Sequence, residues 1–344
     1  MSRQSKTTPV VTPDAKPVEL LLANDPGSSG LRLFGDLGHV NQPAHVAADG
    51  SGQLIKLDGL RRRKPPIRIE ADHVPPLYVG DTAAQFGSVI DNLDHDRQTG
   101  TPEMKAVLYA ALTSYQNQYG HFAGQPIKMG VALPNQFITG DQAEANKALV
   151  KTWMTGTHTW LADSQPYSAV IADVRPTSQA ACAMFDYLLN DDGDWIAARK
   201  GAFLKEIGII SIGFDTVELM VVNNKSVVPA FTGGDKIGAR ELLRLVDPRG
   251  LYAMSELEPQ LRAGALDVAQ HLPVWERKIM GFVDAKWRTT WRRFAAIVIV
   301  GGGAVLLKDS LPAKFAGKAV VPEQPVLAVA RGLYKLMLNQ SRGK

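Results

Sequence analysis

Apolar and polar positions along this chain follow two periods in alternation. Val18 to Asp25 (VELLLAND) is a continuous apolar run of strand length, and Leu31 to Gly35 (LRLFG) follows after a Gly/Ser turn, which predicts a hairpin. Ile127 to Pro134, Tyr167 to Pro176 and Ile207 to Gly213 (IGIISIG) predict further strands, with Val217 to Asn224 (VELMVVNN) as the returning arm of a second hairpin. Helical spacing marks Met104 to Gln118 after a Thr101-Pro102 start signal, Ser178 to Asn190, and Ala239 to Val246. Trp275 to Phe294 also predicts a helix, with Trp287 and Trp291 on one face as core anchors and Arg288 and Arg292 beside them. The stretch holding Pro65, Pro66, Pro75 and Pro76 reads as loop, and Ala295 to Leu311 (AAIVIVGGGAVLLKDSL) as strand, glycine turn and helix. Strands and helices mixed in this way predict an α/β architecture of two lobes.

Composition narrows what those lobes do. At 344 residues with 45% hydrophobic content, the chain can bury two cores of ordinary domain size. The single cysteine, Cys182, cannot form an internal disulfide and sits in an apolar helical context, so an inert buried thiol in a cytoplasmic protein is expected. Residues 1–17 are polar and Pro/Thr-rich and read as a loose tail without a secretory signal. The apolar run Phe294 to Leu307 is too short and too glycine-broken to span a membrane. A net charge of +4 is a mild excess that permits acidic partners without implying sequence-specific DNA binding. Its densest local sources are the Arg61 to Lys64 run (RRRK), read as a solvated loop, and the Trp275 to Phe294 segment.

Three glycine turns stand at the ends of apolar strands. In the first, Asp25 closes a strand and Gly27, Ser28, Ser29 and Gly30 form a turn whose backbone N–H groups and hydroxyls suit an anion, with Asp25 placed to hold a hydrated Mg²⁺. The second is SIGFDTVEL, with Gly213 and Thr216 in the turn, and the third, Gly301-Gly302-Gly303, opens a helix. Each alone reads better as a plain hairpin or a packing turn than as a ligand site. The chain has no P-loop, and the dinucleotide fingerprint fails because Leu306 stands where its third glycine belongs. Seven dispersed histidines, no H-E-x-x-H and no G-x-S-x-G argue against a zinc site or a serine hydrolase. The acidic stretch from Asp91 to Glu103 fails as a Ca²⁺ loop, with Asp96 and Pro102 at the positions that need Gly and Glu.

The order and separation of the three turns resembles the actin, sugar-kinase and heat-shock-chaperone ATPase superfamily, and within it the plasmid-segregation actins of the ParM/StbA type. DPGSSGLRLF at Asp25 to Phe34 is similar to their first phosphate motif, and IVIVGGGAVLLKDSL to their adenosine motif. LYVGDTAAQFG, VALP, MTGTHTW, ADVRPTSQAACAMF and VPEQPVLAVARGLYKLM resemble the segments between and after them, so the resemblance spans roughly Leu20 to Met337. It implies two domains, each with a mixed five-stranded sheet and flanking helices, and a nucleotide cleft between them. The first would cover 18–205, with a small subdomain at about 45–100 and a return at 325–344; the second would cover 206–324, with a small subdomain at about 235–292.

The resemblance further implies ATP, with GTP as the alternative, and Mg²⁺ in the cleft. Asp25, Gly27, Ser28, Ser29, Gly30 and Arg32 would serve the phosphates from one side, and Gly213, Phe214, Asp215 and Thr216 from the other. Gly301, Gly302, Gly303 and Ala304 would hold the adenosine, with Asp25 the residue serving the metal. Self-assembly into filaments and a DNA-binding adaptor to a plasmid are implied as partners, with no membrane insertion. Two positions depart from the pattern: Ser211 stands where an acidic residue is usual, and Thr177 where a Glu or Gln orients water. Losing both slows hydrolysis while leaving binding, and Gln179 and Asp215 are the nearest substitutes. A small-molecule kinase or a non-polymerising nucleotide-binding regulator of the same superfamily are the competing readings.

Overall fold

Apolar continuity at Leu20 to Ala23 and at Met129 to Leu133 builds the centre of the larger sheet, where all of these residues but the half-buried Leu21 are buried. The computed structural model describes residues 19–49, 65–90 and 95–342; the 1–17 tail, the Arg61 to Lys64 run and Asp91 to Asp94 of the acidic stretch lie outside the described residues. The first sheet contains β1 (Leu20–Pro26), β2 (Gly30–Gly35), β3 (Gly38–Pro43), β4 (Val46–Asp49), β5 (Ile67–Ala71), β6 (Val74–Val79), β7 (Gly87–Ile90), β8 (Pro126–Leu133), β9 (Gly156–Ala162) and β10 (Gln165–Ser178). Its order is β3-β2-β1-β8-β10-β9-β5-β6-β4-β7. The expected five strands are the β3 to β10 half, in which β1, β8 and β10 run parallel; the sheet then continues through β9 into the four strands that follow β3 in the chain or flank its first loop.

The second sheet contains β11 (Ile207–Ile212), β12 (Val217–Asn223), β13 (Ser226–Val227), β14 (Gly233–Asp235), β15 (Ala296–Val300) and β16 (Ala319–Val320). Its five-stranded path is β13-β12-β11-β15-β16, and β14 pairs with β12 beside it. The helices are α1 (Pro102–Tyr119), α2 (Asn135–Ile138), α3 (Ala143–Met154), α4 (Gln179–Leu188), α5 (Ala197–Lys200), α6 (Ala239–Val246), α7 (Met254–Arg262), α8 (Leu272–Trp287), α9 (Gly302–Leu306), α10 (Ser310–Ala313) and α11 (Ala328–Arg342). Thr101 caps α1 by accepting from the Met104 N–H, and Pro102 occupies the first turn, as the start signal requires. Ser178 caps α4 in the same way through Ala181 N–H. α1 packs into the first sheet's core, while α8 and β15 share a core with β11 and β12. α4 and α11 lie against each other between the two sheets, and α11 brings the end of the chain back onto β1 and β8.

Two sequence expectations are corrected by the structure. The proline-rich segment is the β5–β6 hairpin: Pro75 and Pro76 fall at an irregularity between the Ile69–Leu77 and Ala71–Val74 pairs, where the missing N–H breaks no ladder. The Trp275 to Phe294 helix stops at Trp287, because Arg288 turns into the left-handed region at φ 47° and a 3₁₀ turn follows. Trp287 and Trp291 therefore share no helix face, yet both serve the core: Trp287 is fully buried with its indole N–H on the Phe231 carbonyl, and Trp291 meets Phe315 edge-on. The MTGTHTW segment is mostly β9, from which the chain runs through β10 into α4. No helix among the described residues is long and apolar enough to cross a membrane.

Candidate functional site

The β1–β2 hairpin sets Asp25 opposite Arg32 in register, so the first turn carries an acid and a base across its own neck. Gly27 donates to the Asp25 carbonyl at 3.0 Å, and a Cβ on Gly27 would stand 2.3 Å from Arg32 Nη1, which shows how closely the guanidinium lies under the turn. In the second turn, Gly213 N–H donates to Thr216 at 2.9 Å. The carbonyls of Gly213, Phe214 and Asp215 accept from the N–H groups of Ala239, Arg240 and Gly238, so the start of α6 holds this turn in place. In the third, the glycines divide the work. Gly301 sits at φ 94° and any Cβ would lie 2.4 Å from the Ile212 carbonyl oxygen; Gly303 presses on Ile212 and Trp275; only at Gly302 would a Cβ meet nothing within 4 Å.

The three turns line one cavity of about 350 Å³ between the two sheets. From the first turn Asp25, Gly27, Ser28, Ser29 and Arg32 face it; from the second, Ser211, Gly213, Phe214, Asp215 and Thr216; from the third, Gly301, Gly302 and Gly303. Gln179, at the start of α4, completes the predicted residues on the wall. Three lie off it: Gly30 is buried at the start of β2, Thr177 pairs with Ala132 along β10, and Ala304 is buried in the second core.

Charge in the cavity is balanced by hand-to-hand pairing. Asp25 is almost fully buried; Gln179 Nε2 donates to its Oδ1 at 2.8 Å and Arg32 stands 3.6 Å from Oδ2. Burial raises its carboxyl above the ordinary range, with Arg32 and Gln179 opposing that shift. Asp215 faces Arg240 at 3.6 Å. Residues the sequence reading did not single out complete the wall. Arg97 and Gln98 both donate to the Pro26 carbonyl, at 3.0 and 3.2 Å, and burial brings the Arg97 guanidinium down to about 10 against the pull of Asp215 and Asp25. On α7, Glu258 and Arg262 line the same cavity and cross to the first sheet's side: Glu258 Oε2 lies 2.9 Å from His45 Nε2, and Arg262 pairs with Asp81 as well as with Glu258. The i, i+4 spacing of Glu258 and Arg262 was legible as a helix pair, but the partners across the cleft were not.

Three arginines on the wall, two serine hydroxyls in the first turn and an open approach at Gly302 fit a polyanion joined to a larger polar group. Asp25, Asp215 and Glu258 are the carboxylates on the wall, and a cation held by Asp25 would have to share its oxygens with Arg32 and Gln179.

No protein-family model matches the chain, and no curated protein matches it in sequence. Solved structures do. An actin-like protein, Alp7A, superposes with a TM-score of 0.70 at 12% identity, covering 94% of this chain and 97% of its own. ParM from a 15-stranded filament of Clostridium botulinum gives 0.68 at 18% identity over 94% and 99%. An archaeal actin homologue in complex with ADP gives 0.68 at 15% identity over 92% and 99%. At these identities the likeness concerns architecture, and over nearly its full length the chain has the two-domain actin fold of the ParM-type and archaeal actin homologues.

Proposed function

We propose that this chain is a nucleotide-binding, actin-like cytoskeletal protein that polymerises into filaments with ATP in the cytoplasm and serves DNA segregation through an adaptor. The observation that carries the reading is the convergence of three glycine turns, from two sheets, on one cavity walled by Arg32, Arg97 and Arg262. It is supported by the ParM filament and the ADP complex among the structures of the same fold. In this reading the domains divide at 18–205 with 325–344, and 206–324, so that the two phosphate turns belong to different domains.

The chemistry follows from the residues present. Arg32 and Arg97 balance phosphate charge from the first domain's side, while the second turn offers Thr216 and its backbone from the other. Gly302 leaves room for the nucleoside beside α9. A bound Mg²⁺ would neutralise further phosphate charge, with Asp25 holding it through water. Because each phosphate turn is built on its own sheet, closing the cleft and gripping the phosphates are one event, which couples nucleotide to the shape of the subunit. Ser211 brings a hydroxyl, not a carboxylate, to the wall, and Thr177 lies off it, so hydrolysis is slow relative to binding.

Sedimentation with and without ATP and Mg²⁺, with phosphate release followed alongside, tests this. Polymer that pellets only with nucleotide, ahead of slow phosphate release, is expected. Nucleotide binding without pellet at any concentration would contradict the filament reading.

A further inference from the structure

Among the described residues, one group of three metal-ligating side chains converges: the ligand atoms of His45, Asp81 and Glu258 all lie within 4.8 Å of one another. These residues are far apart in the chain, and only the fold brings them together. His45 and Asp81 come from the first sheet. Val46 pairs with Val79 across β4 and β6, and Gly80 N–H donates to the His45 carbonyl at 2.9 Å, so the residue after Gly80 is fixed beside the histidine. Glu258 comes from α7, whose Leu261 packs on the second core, whereas Val46 and Val79 belong to the first. The group therefore spans two hydrophobic cores, at the edge of the cavity that Glu258 and Arg262 line.

Such a group needs a cation. Glu258 is buried, with its Oε2 2.9 Å from His45 Nε2, and Asp81 stands close to both. Two carboxylates so near each other in a partly dry site repel unless positive charge lies between them. Arg262 supplies that charge, pairing with Asp81 and with Glu258 at 3.1 Å. Its side chain is 36% exposed and reaches in from the next turn of α7, so it can swing to solvent without disturbing a core. A second observation points to a ligand with water attached. Ser255, three residues before Glu258 on the same helix face, is 7% exposed, and its Oγ has no hydrogen-bond partner among the described residues. A buried hydroxyl left in that position is costly unless a ligand or its water completes it.

We propose that His45, Asp81 and Glu258 bind one divalent transition-metal ion of the zinc class, which displaces Arg262 and fastens α7 to the first sheet's side. An imidazole with two carboxylates selects this class over Mg²⁺ and Ca²⁺, which favour oxygen ligands alone. Neutral His45 coordinates through Nε2 in place of its hydrogen bond to Glu258, and each acid gives one oxygen. Three protein ligands leave a position to water, and Ser255 Oγ is the acceptor for that water. The ion takes over the bridging charge of the guanidinium. Asp25 has no part in the site, which forms without nucleotide, so the inference does not rest on the nucleotide reading.

The test is titration of Zn²⁺ into the full chain without nucleotide or Mg²⁺, repeated with Co²⁺, whose visible absorption reports the ligand field. Saturable one-to-one binding by the wild type is expected, with a rise in melting temperature. His45→Ala and Glu258→Gln are expected to lose at least about tenfold in affinity, and the Co²⁺ bands with it. Arg262→Ala, which removes the competing cation, is expected to bind more tightly than the wild type. Should Glu258→Gln fail to fold, Asp81→Asn, on an exposed turn, reads the same ligand set. No saturable binding by either the wild type or Arg262→Ala overturns the inference. Binding that survives the loss of His45 and of either acid overturns it too, because the ion would then lie elsewhere. Binding by Arg262→Ala alone also overturns it, since the guanidinium would then be the permanent cation of this group.

Discussion

The three glycines at 301–303 have separate jobs, and substitution distinguishes them. Gly303→Ala drives a methyl to 2.1 Å from Ile212 Cγ2 in a closed core and is expected to cost about 1–3 kcal/mol of stability, read from denaturant midpoints. Gly302→Ala meets nothing and is expected to change stability by less than about 0.5 kcal/mol. Glu218 gives a pH signature at the same scale. Its carboxyl ionises at about 7 in the folded chain and near 4.5 when unfolded, so the folded state holds the extra proton between those values. Stability is full below about pH 4.5 and falls by about 3 kcal/mol as pH rises to 7, a slope that Glu218→Gln flattens in urea titrations at fixed pH. The glycine turns were legible from their positions after apolar strands. The burial of Glu218 was not: VELMVVNN reads as the returning arm of a hairpin, and the Asn135 N–H that anchors the acid belongs to α2, just past the end of β8 and far away in the chain.

Elements were legible where local chemistry and tertiary burial agree. β1, β11, β15, α1, α4 and α6 carry apolar periodicity, caps or turn residues that would be made at those positions in any context. The misreadings arose where long-range pairing overrides local signals. β5 and β6 pair with each other around Pro75 and Pro76 because the irregular register excuses the prolines, and β9, distant in sequence, and β4 complete the pairing on their outer edges. α8 ends at Trp287 although its apolar spacing continues, since Trp287 seats its indole N–H on the Phe231 carbonyl and Phe294 must turn back into the same core. Trp287→Ala is accordingly expected to cost about 3–5 kcal/mol, with a loss of near-ultraviolet circular dichroism from this aromatic cluster.

At the scale of the whole molecule, two contacts run from α7 on the cavity wall to the first sheet's side: the His45–Glu258 hydrogen bond and the Asp81–Arg262 ion pair. Burial pushes the Glu258 carboxyl upward, but His45 and Arg262 outweigh it and hold the group below its ordinary value. Its contribution is therefore present above about pH 4.5 and is lost as pH falls through the lower folded value. Arg262→Ala removes the partner shared by Asp81 and Glu258, and is expected to enlarge the radius of gyration in X-ray scattering and to speed nucleotide release roughly tenfold. An unchanged particle with unchanged release would mean that these pairs do not hold the cleft. The two-lobed plan was readable from the order of three turns spread over the chain, whereas the contacts joining the lobes depend on α7 and the β4 to β6 region, whose docking leaves no local mark.

The central claim is that a nucleotide occupies the cavity where the three turns meet. Calorimetric titration of ATP with Mg²⁺ into the wild type and into Gly302→Val tests it most directly, because a side chain at that position enters the cavity without meeting the protein. Saturable binding by the wild type, weakened at least tenfold in a Gly302→Val variant of unchanged melting temperature, is the expected result. No binding by the wild type, or equal binding by both, would contradict it.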